Sequence, residues 1–338
     1  MFGSGRVISG ARIIDKVDLE VRARRAATAL KSLGIDAGDV FAVFLRNDFA
    51  YLEARMAADF LGAYIVAINW HQKNDEVGYI LGDCEARALI VHADLLPQIE
   101  AGIPDGLPVF VAPTPVDIGD AYGADVSIRG VPDGRTDWGQ WIGEFEPWDA
   151  APRLARPPIL YTSGTTGRPK GVVHTHLGVQ AKATADFLLC LDMKQDDRHL
   201  WMTDMGWVMG PLTLLSVLLS GSTLVVAEGA PSMPGDPFRL LRLASEMEVT
   251  HLGVAPTLVR QFMTQELEPL TDYDLSPLRI VASTGEPWTE DAWRWQLDHI
   301  CRRRAVPLNI SGGTELFGAI LTSSVLHEIK PGGFSAQA

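Results

Sequence analysis

The sequence predicts an α/β protein of two lobes, each a mostly parallel sheet covered by helices. Three observations predict it. Short, continuous apolar runs alternate with amphipathic helical stretches; the alternation lapses once, from Gly119 to about Pro157; and it then resumes almost to the end. Runs of that kind are strands buried on both faces, and the intervening helices supply the cover. At 338 residues the chain has room for two domains of about 150 residues each. We set the lobes at 1–155 and 156–338.

In the first lobe, Leu19, Ala23, Ala26, Ala27, Leu30 and Leu33 share one helical face, and Gly34 closes that helix. Val40 to Leu45 is an apolar run of strand length. A helix covers about Ala50 to Leu61 and stops at Gly62. AYIVAIN is a strand, DEVGYILGDCEA a helix, ALIVHA a strand, and Val109 to Ala112 another strand. The stretch from Gly119 to Pro157 reads as a long connection, with Trp138, Trp141 and Trp148 lying over apolar surface. In the second lobe the strands are Pro158 to Thr162, HLWMT, STLVVAE, HLGVAP, LRIVAST and finally PLNIS. Helices fall within His176 to Leu191 and over Pro211 to Leu219, Pro237 to Glu246, Thr257 to Thr264 and Glu290 to Arg303.

Apolar residues make up 47% and charged residues 21%, which excludes a disordered, collagen-like or disulfide-scaffold chain. The 29 basic and 42 acidic side chains give a net charge of −13. Nucleic acid and anionic membrane surfaces both need a basic face, so neither is expected as a main partner. Binding a polyphosphate would require a local electropositive pocket. Cys84, Cys190 and Cys301 are widely separated and have no metal-ligand spacing, which fits reduced thiols in the cytoplasm. MFGSGRVISG lacks the pattern of a signal peptide. The apolar stretch PLTLLSVLLSGSTLVVA is broken by Gly221, Ser222 and Thr223, so no membrane span is expected.

The sharpest local feature is ILYTSGTTGRPKGVVHTH, Ile159 to His176. An apolar strand runs into Thr162, Ser163, Gly164, Thr165, Thr166 and Gly167, followed by Arg168, Pro169 and Lys170. Gly164 and Gly167 let backbone N–H groups turn toward an anion, the hydroxyls add donors, and Lys170 supplies a cation. The spacing is not that of the Walker A loop, because position 169 is Pro. A loop of this kind at the carboxyl end of a parallel strand is where open α/β sheets bind ligands.

YTSGTTGRPKGV resembles the signature loop of the AMP-forming adenylating superfamily, which includes acyl-CoA synthetases, peptide-synthetase adenylation domains and luciferases. Later segments agree in order. LWMTDMGWVMGP resembles the stretch that lines the acid pocket in the acetyl-CoA synthetase branch, which implicates Trp207, Val208 and Met209. STGEPW resembles the adenine-binding segment; Gly285, Glu286 and Pro287 would flank the base, with Thr284 facing the acid. NISGGTELFG resembles the motif ending in Thr-Glu. There Asn309 would meet the adenine amino group, Thr314 the α-phosphate and Glu315 a Mg²⁺ ion, while Gly312 and Gly313 would border the acid. The first half looks like medium- to long-chain or bile-acid-type acyl-CoA ligases, the second half like acetyl- and acetoacetyl-CoA synthetases. Acetate-specific relatives carry a bulky tryptophan at the position of Gly312, so its absence suggests an acid larger than acetate.

The resemblance implies attack of a carboxylate on the α-phosphorus of ATP, giving an acyl-adenylate and pyrophosphate, and then thioester formation with CoA. It thereby suggests a role in fatty-acid metabolism. Catalysis would rest on charge neutralisation and positioning by Thr162, Lys170, Thr314 and Glu315, with the phosphate loop facing Glu315. The expected ligands are ATP, Mg²⁺, CoA and a small carboxylic acid, and a homodimer is left open. Family members continue beyond the point where this sequence stops, into a small C-terminal domain. The chain is therefore expected to be the N-terminal part, severely impaired in adenylation alone. Two other readings stay open: an adenylation domain that loads a carrier protein, and a non-catalytic ATP- or acid-binding module.

Overall fold

The computed structural model describes residues 6–161, 170–233 and 235–337. The chain divides into two units. One comprises Ser9–Val179 with Asp204–Pro211; the other comprises Met1–Ile8, Gln180–Thr203 and Leu212–Ala338.

The first of these units is built on a five-stranded sheet. In spatial order its strands are Tyr64–Ala67, Val40–Phe44, Leu89–His92, Val109–Ala112 and Thr136–Asp137, and every neighbouring pair is parallel. Taken in chain order, the first strand lies between the second and the third. The first four are the apolar runs of the sequence. Ala42, Phe44, Val66, Leu89, Val91 and Val111 point into one core, against Val77, Ile80 and Leu81 of the helix Asn74–Asp83 and Ile99 of a short helix. The helices Lys16–Ser32 and Phe49–Leu61 pack on each other. Gly62 ends the second of these in the left-handed region, φ +68°, where it caps two helix carbonyls.

The segment read as a connection is part of this lobe. It supplies the fifth strand, Thr136–Asp137, and a helix, Trp138–Gly143, whose N-terminus is capped by the Asp137 carboxylate. Trp138 is 1% exposed and donates its indole N–H to Glu53 at 2.9 Å, while Trp141 stacks on Phe110. Trp138 is a core residue of the lobe, and Trp141 is half-buried beside it.

A second departure concerns the strand before the phosphate loop. Ile159 bridges Val66 in parallel, but Leu160–Tyr161 then pairs antiparallel with Gly171–Val172. The loop is therefore closed by a two-stranded hairpin and does not leave the end of a strand in a parallel sheet. Gly171 fits closely there: a Cβ would stand 3.2 Å from the side chains of both Ile159 and Tyr161, which would have to give slightly.

The second unit repeats the strand order. Thr223–Val226, Arg198–Trp201, His251–Val254, Ile280–Ser283 and Val306–Gly313 lie side by side, all parallel. Leu200, Leu252, Val254 and Val281 pack with Phe238, Leu241, Phe262 and Ile300. PLNIS belongs to a strand that is not the last. Gly318–Thr322 returns antiparallel to it, and Ala336–Gln337 pairs with Gly318–Thr322. Two helices end in π-helical turns, Thr184–Cys190 and Gln296–Ile300.

Candidate active site

Two of the four expected segments fall in the second unit, near the carboxyl ends of its parallel strands. Ser283 pairs with Asn309, so Thr284, Gly285, Glu286 and Pro287 leave the sheet beside the strand that carries Asn309. Gly285 has φ +103°, a conformation that favours glycine. Glu286 accepts from the Thr257 backbone N–H at 2.8 Å and pairs with Arg260. Burial raises the Glu286 pKa, but the Thr257 and Arg260 contacts more than offset it and hold it below its ordinary value. Gly285 and Pro287 are exposed, and Thr284 is half-buried.

Asn309 is 3% exposed. Its Nδ2 donates to the Gly332 carbonyl at 3.0 Å, and its Oδ1 accepts from Ser283 Oγ. One N–H and one acceptor site of its amide are thus engaged within the protein, which fixes the plane of the group.

Beyond Asn309 the strand carries Gly312 and Gly313 into a 3₁₀ turn, Thr314–Leu316. The register slips between Ser311 and Gly312; Gly312 then pairs with Ala319, and Gly313 with Gly318. A Cβ at Gly312 would overlap the Gly318 carbonyl. Glycine is therefore demanded by the backbone of the hairpin itself. The backbone thus gives a reason for glycine at 312 that does not depend on acid size. Thr314 is half-buried and Glu315 exposed.

Trp207, Val208 and Met209 belong to the other unit, in the segment Asp204–Pro211. Trp207 is 54% exposed and lies stacked with His71, ring centroids 6.3 Å apart. The Met205 backbone N–H donates to Asn47, and a Cβ at Gly206 would come within 2.5 Å of the Asn69 backbone, so this turn is pressed onto the lobe. Asp204 lies beneath it. Burial raises its pKa to about 7, against the opposing pull of the Gly206 N–H, Arg46 and Trp70.

Thr162, Ser163, Gly164, Thr165, Thr166 and Gly167 lie outside the described residues. Lys170, at the end of the loop, is exposed. The start of the loop is fixed: Tyr161 donates its hydroxyl to Asp83 at 2.6 Å, and burial and that carboxylate raise the tyrosine pKa.

A bound magnesium ion fits the donor set if the nucleotide shares it. Among the described residues no group of three His, Cys, Asp or Glu side chains could hold a metal. Glu315 is a single exposed carboxylate, and Mg²⁺ is commonly held by one or two carboxylates together with substrate phosphates.

Sequence reasoning did not single out Thr257, Arg260 or Asp186 for this region. Thr257 and Arg260 follow a different strand from Glu286, and only the parallel sheet brings them together. Asp186 sits in an ordinary-looking helical stretch, with no motif to mark it.

The parallel sheet thus sets Thr284–Pro287 beside Asn309, with a Thr-Glu turn just beyond. Residues 17–333 match the AMP-binding enzyme family, and the chain belongs to it. It is 30% identical over 336 residues to the acetyl-coenzyme A synthetase of Rubrobacter xylanophilus, covering 95% of this chain and 51% of that protein. It is 31% identical to the acetyl-coenzyme A synthetase of Streptomyces avermitilis, covering 98% of this chain and 51% of that protein. The chain thus spans about half the length of these relatives. In fold it is similar to the anthranilate CoA ligase AuaEII in complex with anthranoyl-AMP, with a TM-score of 0.85 at 24% identity, covering 98% of this chain and 61% of that one. A benzoate CoA ligase from Burkholderia xenovorans LB400 gives a TM-score of 0.83 at 20% identity, covering 99% and 63%. No helix among the described residues is long and apolar enough to cross a membrane.

Proposed function

We propose that this chain carries the nucleotide- and acid-binding part of an acid–CoA ligase. An ionised carboxylate attacks the α-phosphorus of ATP, the bond to the β-phosphate oxygen breaks, and pyrophosphate leaves. The CoA thiol then displaces AMP from the acyl-adenylate to give the thioester. The observation that carries this reading is the Thr314–Glu315 turn, set at the end of the strand that bears Asn309 and pairs with Ser283.

The difficulty in the first step is charge. Two unit negative charges ~4 Å apart repel by about 4 kcal/mol at an effective dielectric of 20. No general base is needed, because the acid is already ionised. The chain's residues bind and orient instead: Thr314 donates to the α-phosphate, Lys170 and the loop beginning at Thr162 hold the departing pyrophosphate, and Gly285 to Pro287 flank the base. Glu315 would hold Mg²⁺, which when bound withdraws charge from the phosphoryl oxygens as a Lewis acid. Thr284 and Gly313 would border the acid. A cytoplasmic setting suits the thiols, since burial pushes Cys84 to about 11 and Cys301 to about 12 and keeps both unreactive.

Isothermal titration of ATP with and without Mg²⁺, followed by pyrophosphate exchange with a panel of acids, tests the reading. Wild type is expected to bind ATP–Mg²⁺, and Glu315→Gln to bind it at least about tenfold more weakly, as loss of a metal-coordinating carboxylate should. Binding that is indifferent to both the metal and the substitution would refute it.

A further inference from the structure

We propose that Asp186 is the positioning residue for the Thr314–Glu315 turn; this rests on the function proposed above. Asp186 is 1% exposed and lies in the π-helical turn Thr184–Cys190. Its Oδ1 accepts from Lys182 Nζ at 2.8 Å, one helical turn earlier. Its Oδ2 accepts from the backbone N–H of Ala319 at 2.9 Å. Ala319 is the register partner of Gly312, and the next pair, Gly313 with Gly318, closes the hairpin around the turn. The carboxylate therefore grips the exit strand two residues beyond Phe317, the residue that ends the turn.

The surrounding geometry fits a built clamp. Gly318 lies so close that a Cβ there would overlap Asp186 Oδ2 and the Lys182 side chain. Phe317 is 1% exposed with φ +52°, a left-handed conformation that a bulky residue keeps only when its surroundings impose it. Both carboxylate oxygens of Asp186 are occupied and its charge is paired, as a buried carboxylate requires. Glu315, in contrast, is exposed, so the direction of its carboxylate follows from where the turn is held. Asp186 touches no reacting group. It fixes the strand from which the metal-holding carboxylate is presented, and Lys182 fixes Asp186.

The test uses Asp186→Ala and Asp186→Asn, with Glu315→Gln as reference. The Asn variant keeps an acceptor for Ala319 but turns an NH2 group toward Lys182, losing the charge and the hydrogen bond there, so it serves if the Ala variant fails to fold. Amide hydrogen exchange over residues 312–320 is measured without ligand, and ATP affinity is measured by titration in Mg²⁺ and in EDTA. For Asp186→Ala we expect faster exchange at 314–319 and ATP–Mg²⁺ binding weakened by about 10–100-fold, the range for groups that orient a metal ligand, with ATP in EDTA changed less than about twofold. Asp186→Asn should fall between it and wild type. Unchanged exchange overturns the proposal. So does an equal loss of ATP binding with and without Mg²⁺. If Glu315→Gln abolishes the Mg²⁺ effect and Asp186→Ala does not, the positioning role alone falls. If Glu315→Gln leaves the Mg²⁺ effect intact, the metal reading falls, and Asp186 is reduced to a structural anchor.

Discussion

The five parallel strands of the larger sheet follow the same order as the five-stranded sheet, yet the two finish their carboxyl ends in opposite ways. In the five-stranded sheet the side chains after the strands neutralise one another. Arg46 lies between the rings of Trp70 and Tyr122, 4.2 and 3.7 Å from their centroids, and pairs with Asp94 at 2.8 Å. Thr114 donates to Asp94, and the Arg46 backbone N–H donates to His92 Nδ1. These groups come from the ends of the first, third and fourth strands in chain order, across the point where strand order reverses. In the other sheet, the ends of the fourth and fifth strands lead to Gly285, Pro287 and Glu315, which face solvent. One topology thus serves as a brace where its polar groups meet each other, and in the other sheet leaves the strand ends open to solvent.

The largest expected effect tests the brace. Arg46→Met leaves Asp94 buried without its cation, and the loss should be about 3–5 kcal/mol, the usual cost of breaking a buried ion pair from one side. Chemical denaturation measures it; a loss near that of an exposed pair, under about 1 kcal/mol, would show that the network braces nothing.

Next in size is the open sheet's hairpin. Gly312→Ala should cost about 1–3 kcal/mol, because the methyl group must push against the Gly318 backbone. An Ala variant as stable as wild type would mean that the hairpin yields easily, and that glycine there answers to something other than the backbone.

The smallest effect separates the two units by the sign of their pH response. Asp204 is raised from 3.8 to about 7, chiefly by burial, so its folded form prefers the proton. Its contribution is complete below pH 3.8 and is lost as pH rises through 7. His199, in the other unit, is lowered from 6.5 to about 3, chiefly by burial, so its folded form prefers to be neutral. Its contribution is complete above pH 6.5 and is lost as pH falls through 3. Each can change stability by at most about 1.4 kcal/mol per pH unit. Between pH 4 and 6 they oppose each other. Asp204→Asn should make stability rise more steeply with pH over that range, and His199→Leu should make it fall. Unfolding midpoints at four or five pH values decide the signs.

How much of this was readable beforehand depended on how local the signal was. Strands such as Val40–Phe44 and His251–Val254 are apolar runs, and four of the five strands of the first sheet and the five parallel strands of the second followed from them. Gly318–Thr322 was missed because its burial is uneven: Ile320 is exposed while its neighbours Gly318 and Ala319 are buried, and the run follows a glycine-rich motif. The helix Trp138–Gly143 was missed because two glycines in six residues hide its periodicity. Of the candidate site, the segments around Thr284, Asn309 and Thr314 were found by motif. What the motifs could not show is their support. Arg260 with Glu286 is an ion pair between residues 26 positions apart, and Asp186 with Ala319 spans 133. Such couplings exist only once the sheet has aligned them.

The two-rung ladder of Leu160 with Val172 and Tyr161 with Gly171 has a practical corollary. It seals the neck of the glycine- and threonine-rich segment independently of what the segment contains. Lengthening a sealed loop is cheap, roughly 0.6 kcal/mol for each doubling. Sequences of other lengths, spliced in between Tyr161 and Gly171, should therefore leave the host protein folded.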